Sequence, residues 1–425
     1  MKKIKRLILH IGTPKTGSTS IQESLGNSRD ALLQHNIHYP SNRPFNHIFS
    51  FIPIFLDDPD TSFVFTIQLK SDEDKDTKIQ GYRETWIKEI ESCEKDNFII
   101  SAEDFTFPYF DEEAVSSLKT FVDQYFEEVT IIAYVRHYDQ WISSQIQQDI
   151  KNGVDAGLSE LIQRFITCPP WIAYRNCLGK WIRVFGKENL VVRPFDPLAF
   201  YQGSLLADFF HSCNLPVDND AIHEIRSNES IGENAAIFLQ EYNQVYPRLI
   251  NNTVNQDRGL AEGGFPFDIY RDIPDKRFKL ELVYTPEQAE KFNEEIDFVN
   301  QFFADGYQFH RVSSGAGAIE IPDADEIPIR FFIELVNSYH KRIGLLRGRI
   351  ETHRTQSDTF REENKGLREQ NNFLSEQNKA FQQQIDYYQH LMDVLRIPLI
   401  LRILEKLKLK AILKRITMWG GDEED

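Results

Sequence analysis

The chain has 425 residues, 41% of them hydrophobic, and a formal net charge of −17. That is ample apolar material for a large core and more than one folded unit. The acidic balance is the opposite of what a nucleic-acid binder carries, so no nucleic-acid partner is expected and any anionic ligand must be held by local basic groups.

Lys2, Lys3, Lys5 and Arg6 precede an apolar run, Leu7 to Ile11. The run is too short for a signal peptide and leads into a glycine loop rather than a cleavage site. No stretch of 18 apolar residues occurs, so the expectation is a cytoplasmic protein without a spanning helix. Cys93, Cys168, Cys177 and Cys213 form no C-x-x-C or Cys/His pattern. Reduced thiols and no metal are therefore expected.

The run from Leu7 reads as a strand. A loop follows from Gly12 to Gly17, and a helical pattern then carries Ile21, Leu25 and Leu32. Strand, glycine loop and helix start make a cradle for a phosphate-like anion, because backbone N–H groups and the positive helix end converge there. Lys15 adds a full charge, and the hydroxyls of Thr16, Ser18 and Thr19 add donors. Gly12 and Gly17 have the spacing of a nucleotide-binding P-loop. However, Ser18 stands where that motif has its lysine, and Lys15 comes two residues before Gly17 instead.

Asn97 to Ser101 reads as a second buried strand, followed by Glu103 and Asp104. At the carboxyl end of a parallel strand, a carboxylate can take a proton from a hydroxyl; Glu103 is the candidate and Asp104 its alternative. Val129 to Val135 is β-branched, apolar and uninterrupted, as a buried parallel strand is. Arg136 ends it, a helical pattern with Trp141, Ile142 and Ile146 follows, and Ser144 lies eight residues beyond the arginine. An arginine fork and a serine hydroxyl are suited to a second phosphate. Tyr174 to Phe185 reads as a helix and Leu190 to Phe195 as a strand. His10, on the first strand, reads as a packed residue rather than a catalyst.

Pro14-Lys15-Thr16-Gly17-Ser18-Thr19 resembles the 5′-phosphosulfate loop of the sulfotransferases, P-K-[ST]-G-[ST]-[ST]. Arg136-x7-Ser144 after a strand is similar to that family's 3′-phosphate site. The resemblance covers roughly residues 4 to 310. It implies a P-loop-like α/β domain with a doubly wound parallel sheet. It also implies the co-substrate 3′-phosphoadenosine 5′-phosphosulfate (PAPS), held by Thr13, Pro14, Lys15, Thr16, Gly17, Ser18, Thr19, Arg136 and Ser144. Lys15 and Glu103 would be the catalytic pair, and a carbohydrate hydroxyl the acceptor. The family's basic, glycine-containing loop near the domain's end has no clear copy; Arg258-Gly259 and Gly263-Gly264 are the nearest candidates. A P-loop kinase and a non-catalytic scaffold are the competing expectations.

Domain boundaries are expected at 1–312 for the α/β domain and 313–330 for a Gly/Ala/Pro/acid-rich linker. A heptad pattern then runs over 331–397. Its a positions are Val336, Ile343, Ile350, Ser357, Asn364, Asn371, Asn378, Ile385 and Met392. Its d positions include Leu346, His353, Leu367, Leu374, Phe381 and Leu395. Asn at successive a positions predicts a parallel coiled-coil homodimer. Residues 398–425 form a basic amphipathic helix and an acidic tail. From Pro398 to Trp419, six basic side chains face the single acid Glu405. That composition predicts peripheral attachment to an anionic inner membrane face.

Overall fold

Five β-branched or apolar strands, each followed by a helical pattern, form one parallel sheet. The computed structural model describes residues 3–41, 46–62, 74–217, 222–225, 230–250, 253–255, 276–304 and 306–315. Beyond 330 it describes residues 331, 335, 341, 344–357, 359, 379–387 and 390. The chain divides into two units. The first comprises Met1–Ile142, Arg164–Glu229 and Glu281–Ile319, and the second Ser143–Gln163, Ser230–Leu280 and Glu320–Asp425.

The first unit holds the sheet. In chain order its elements begin with β1 (Ile4–His10), α1 (Ser18–Asn27), α2 (Arg29–Gln34) and β2 (Ile37–His38). Next come α3 (Lys75–Glu91), β3 (Asn97–Ser101), α4 (Glu112–Tyr125) and β4 (Phe126–Val135). Helices α5 (Tyr138–Lys151) and α6 (Leu158–Ile166) come after β4, each running across the boundary between the units, and then α7 (Tyr174–Phe185), β5 (Leu190–Pro194) and α8 (Leu205–Ser212). The sheet order is β2-β3-β1-β4-β5, and every pairing is parallel. Successive residues Leu7, Ile8 and Leu9 are all fully buried, so both faces of the central strand are covered, as parallel sheets require. On one face Ile8, Ile99, Ile132 and Tyr134 pack with Ile21, Leu25 and Leu32 of α1 and α2, and with Leu205, Leu206 and Phe209 of α8.

The strands expected at Leu7, Asn97, Val129 and Leu190 are all present, the first and third longer at their amino ends. The order reverses between β1 and β4. Chain leaving β1 goes to one side and chain leaving β4 to the other, which opens a crevice at their carboxyl ends.

The second unit holds the later part of α5, α9 (Glu233–Val245) and a hairpin of β6 (Leu249–Ile250) and β7 (Thr253–Val254). Gln147 accepts from Ile231 N (3.2 Å), and Asn243 donates to Ile150 O (2.8 Å), fixing α5 beside α9. Residues 344–357 and 379–387 are helical. The rings of His353 and Phe381 lie 5.5 Å apart. One straight helix would separate positions 28 residues apart by about 42 Å. The two pieces therefore lie side by side. His353 and Phe381, both d positions of the heptad pattern, thus meet within one chain.

The last helix of the first unit is α10 (Pro286–Asn300), opened by a capping box at Thr285. Docked chain continues into the expected linker, where Ser314 bridges to Tyr284 and Gly315 N donates to Tyr284 O. Residues 316–330, Arg258, Gly259, Gly263, Gly264 and the tail 398–425 lie outside the described residues. Among the described residues, no helix is long and apolar enough to cross a membrane.

Candidate functional site

Register brings three loops to one edge. His10 pairs with Ser101 on one side and Ile132 on the other, so β1 and β3 end level while β4 runs on to Val135. The glycine loop leaves the end of β1, Glu103 lies just past β3, and Arg136 directly succeeds β4.

The loop is laced to β4. Thr13 donates from both N and Oγ1 to Tyr134 O (2.9 Å each), and Tyr134 N donates to Gly12 O (2.7 Å). Thr16 Oγ1 donates to Thr13 O at 2.5 Å. Three residues have positive φ: Gly12 (95°), Lys15 (67°) and Gly17 (77°). At Lys15 this is a sparsely populated conformation for a residue with a side chain, the kind of backbone strain that clusters at functional sites. Gly17 is required twice over. Its φ is left-handed, and an added Cβ would lie 2.5 Å from Leu205 Cδ2 and 2.9 Å from Phe195 Cε2. At Gly12 a Cβ would stand 3.1 Å from Glu103 Cα and Cβ, so glycine lets the first loop rest on the second. Gly17 is also the N-cap of α1, leaving that helix start without a capping side chain and suited to an anion.

Arg136 and Trp141 grip the loop from β4 and α5. Arg136 Nη1 donates to Lys15 O (3.2 Å), and Trp141 Nε1 donates to Pro14 O (3.0 Å). In trans peptides these carbonyls pull the opposite ends, the N–H groups of Lys15 and Thr16, to the other side. The Arg136 guanidinium also lies 5.3 Å over the Phe195 ring and reaches Gln140 Oε1 at 3.4 Å. Its backbone is pinned at both groups by one hydroxyl. Tyr174 OH donates to Arg136 O (2.5 Å) and accepts from Arg136 N (3.0 Å).

Glu103 opens a short 3-10 turn, Glu103–Thr106. Burial raises its pKa, against the opposing pull of the Lys15 charge and a hydrogen bond from the Ser18 hydroxyl. Asp104 points elsewhere, accepting a bond from Tyr109 OH. Burial pushes Asp104 up to about 7, the Tyr109 bond opposes this, and the neighbouring Glu103 charge adds to it. Of the two carboxylates left open by sequence, Glu103 is therefore the one at the loop.

The remaining expected site residues divide. Thr16 and Ser18 are buried, and the Thr16 hydroxyl serves Thr13 O while Ser18 Oγ stands 3.4 Å from the same carbonyl and also serves Glu103. Both brace the loop, which differs from the expectation that they face a ligand. Pro14, Lys15 and Thr19 are half-exposed. Ser144 is half-buried on α5, two turns beyond Arg136, and belongs to the second unit. His10 is fully buried with Nδ1 2.7 Å from Ser101 Oγ, and burial drives its pKa down to about 3. It is a packed, neutral strand residue, as read from sequence. Trp141, Tyr174 and Phe195 were visible only as packing residues, since their contacts with the loop and Arg136 cross long stretches of chain.

Fold and site together define an α/β protein whose parallel sheet carries an anion-type loop at its topological switch point. No protein-family model matches the chain. An uncharacterized protein of Archaeoglobus fulgidus is 21% identical over 188 residues, 40% of this chain and 50% of that protein. The chain thus spans about half the length of that curated relative. Among solved structures, a sulfotransferase from Alicyclobacillus acidocaldarius is similar over 58% of this chain and 96% of its own, at a TM-score of 0.32 and 15% identity.

Proposed function

We propose that this chain is a sulfotransferase that moves a sulfuryl group from PAPS to a hydroxyl, with a carbohydrate as acceptor. One observation carries the reading. The lysine of Pro14-Lys15-Thr16-Gly17 sits at the head of a strained loop, its carbonyl held by Arg136 and its charge acting on Glu103. Lys15 and the N–H groups of the loop neutralise charge on the leaving phosphate. Arg136 orients the nucleotide for in-line displacement. The acceptor oxygen bonds to sulfur, the bond from sulfur to the bridging oxygen breaks, and Glu103 takes the hydroxyl proton. Attachment to an anionic membrane through 398–419 would bring such an enzyme to membrane-linked glycans.

A second reading has one observation in its favour. The Ser18 hydroxyl beside the Glu103 carboxylate is the kind of pair that holds Mg²⁺ in a P-loop phosphotransferase. Thermal-shift titration separates the two. Adenosine 3′,5′-bisphosphate stabilising the protein far more than Mg·ATP supports sulfuryl transfer, and the reverse order supports the kinase. Transfer from labelled donor to a glycan panel then identifies the acceptor.

A further inference from the structure

Immediately after Arg136, at the start of α5, the first unit brings together His137, Asp139 and His310. Each offers one ligand atom, and all of these atoms lie within 4.8 Å of one another.

The hydrogen bonds around them decide what the group can hold. His137 Nε2 lies 2.9 Å from His310 O. A carbonyl only accepts, so Nε2 carries the proton and Nδ1 of the neutral ring presents a lone pair. That lone pair is 3.6 Å from Asp139 Oδ2, another acceptor. A cation placed between the two would be held by both. The spacing matches the roughly 3.4 Å between two ligands of a tetrahedral zinc ion bonded at 2.0–2.1 Å. The outer partners are those of a metal site: the histidine donates its far N–H to a backbone carbonyl, and Tyr284 OH donates to Asp139 Oδ1 at 2.5 Å.

The segment carrying His310 is also built. Asn300 Oδ1 accepts from Phe309 N and its Nδ2 donates to Phe309 O (2.8 and 3.0 Å). Asn293 clamps Val312 in the same two-way manner (2.8 and 3.0 Å). Two asparagines, two turns apart on α10, thus fix the backbone on either side of His310 while its ring stays exposed.

We propose that His137, Asp139 and His310 bind one divalent transition-metal ion of the zinc class, stapling the start of α5 to the segment after α10. The His137 and His310 rings stack, 4.2 Å between centroids at 20°. Stacked rings cannot both aim a lone pair at one ion, so binding turns the exposed His310 ring about its side-chain bonds. The proposal is independent of the sulfuryl-transfer reading.

The test uses the untagged full chain after chelator treatment, titrated with Zn²⁺ by calorimetry and with Co²⁺ by visible absorption. Wild type is expected to bind one equivalent of zinc that His310→Ala and Asp139→Ala lose or bind at least 10–100-fold more weakly, with the cobalt d–d bands lost in parallel. His137 is buried, so the two accessible ligands carry the comparison. Equal zinc binding by wild type and both variants overturns the proposal. So does an NMR signal for a His137 Nδ1–H that zinc leaves unchanged, because a proton would then close the gap.

Discussion

The Arg136 guanidinium donates to the carbonyl of Lys15 at 3.2 Å, across 121 residues of chain. Of the two basic residues read as holding opposite ends of one nucleotide, Arg136 thus contacts the loop that carries Lys15. Lys15→Ala and Arg136→Ala should each abolish stabilisation by adenosine 3′,5′-bisphosphate while leaving the unliganded melting temperature within a few degrees of wild type. A bisphosphate shift that survives both substitutions removes the loop from the site.

Gly17→Ala should destabilise the protein by about 1–3 kcal/mol, the cost of a strained positive φ together with a displaced neighbour. Its Cβ would press on Leu205 and Phe195, and Phe195 supports the Arg136 guanidinium. Nucleotide affinity should therefore fall along with the urea midpoint. An unchanged midpoint would show that Leu205 and Phe195 yield freely.

Glu103→Gln should lower kcat by about 10²–10⁴-fold, the usual worth of a general base. Because burial raises the Glu103 pKa, the wild-type rate should climb with pH through a midpoint above the ordinary carboxylate range. The base must be deprotonated to act, so activity is lost on the acid side. A flat acid limb would exclude Glu103 as the base.

Asp104 has the opposite consequence for stability. Its folded pKa, about 7, lies above the ordinary 3.8. The native state then binds more protons than the unfolded state between these values, and stability falls as pH rises from about 4 to about 7. Asp104→Asn keeps an acceptor for Tyr109 and should flatten that fall in a pH series of denaturation midpoints. Parallel curves for the two proteins would contradict the assignment.

His353→Cys with Phe381→Cys should be joined within one chain by a short bifunctional thiol reagent, since the two rings lie 5.5 Å apart. The product should run as a monomer on a denaturing gel. Covalent dimers as the main product would support the in-register two-chain seam.

Much of the sheet was legible in the sequence. Buried parallel strands are apolar on both faces, and Leu7 to Ile11, Asn97 to Ser101 and Val129 to Val135 say so without help from neighbours. The loop was legible too, because Gly12 and Gly17 mark backbone conformations that few other residues adopt. The choice between Glu103 and Asp104 was not. Adjacent residues share every local signal, and only packing turns one toward Lys15 and the other toward Tyr109.

Local sequence determined strands, glycine turns and the heptad stripe, since each is a property of neighbouring residues and a fixed period. Tertiary structure alone decided which distant groups meet. No spacing rule joins His137 to His310, 173 residues apart, or Arg136 to Lys15. The heptad stripe predicted a partner chain along its apolar edge, and His353 and Phe381 of that stripe meet within one chain. Periodicity states that a face must be buried, and only the folded chain specifies against what.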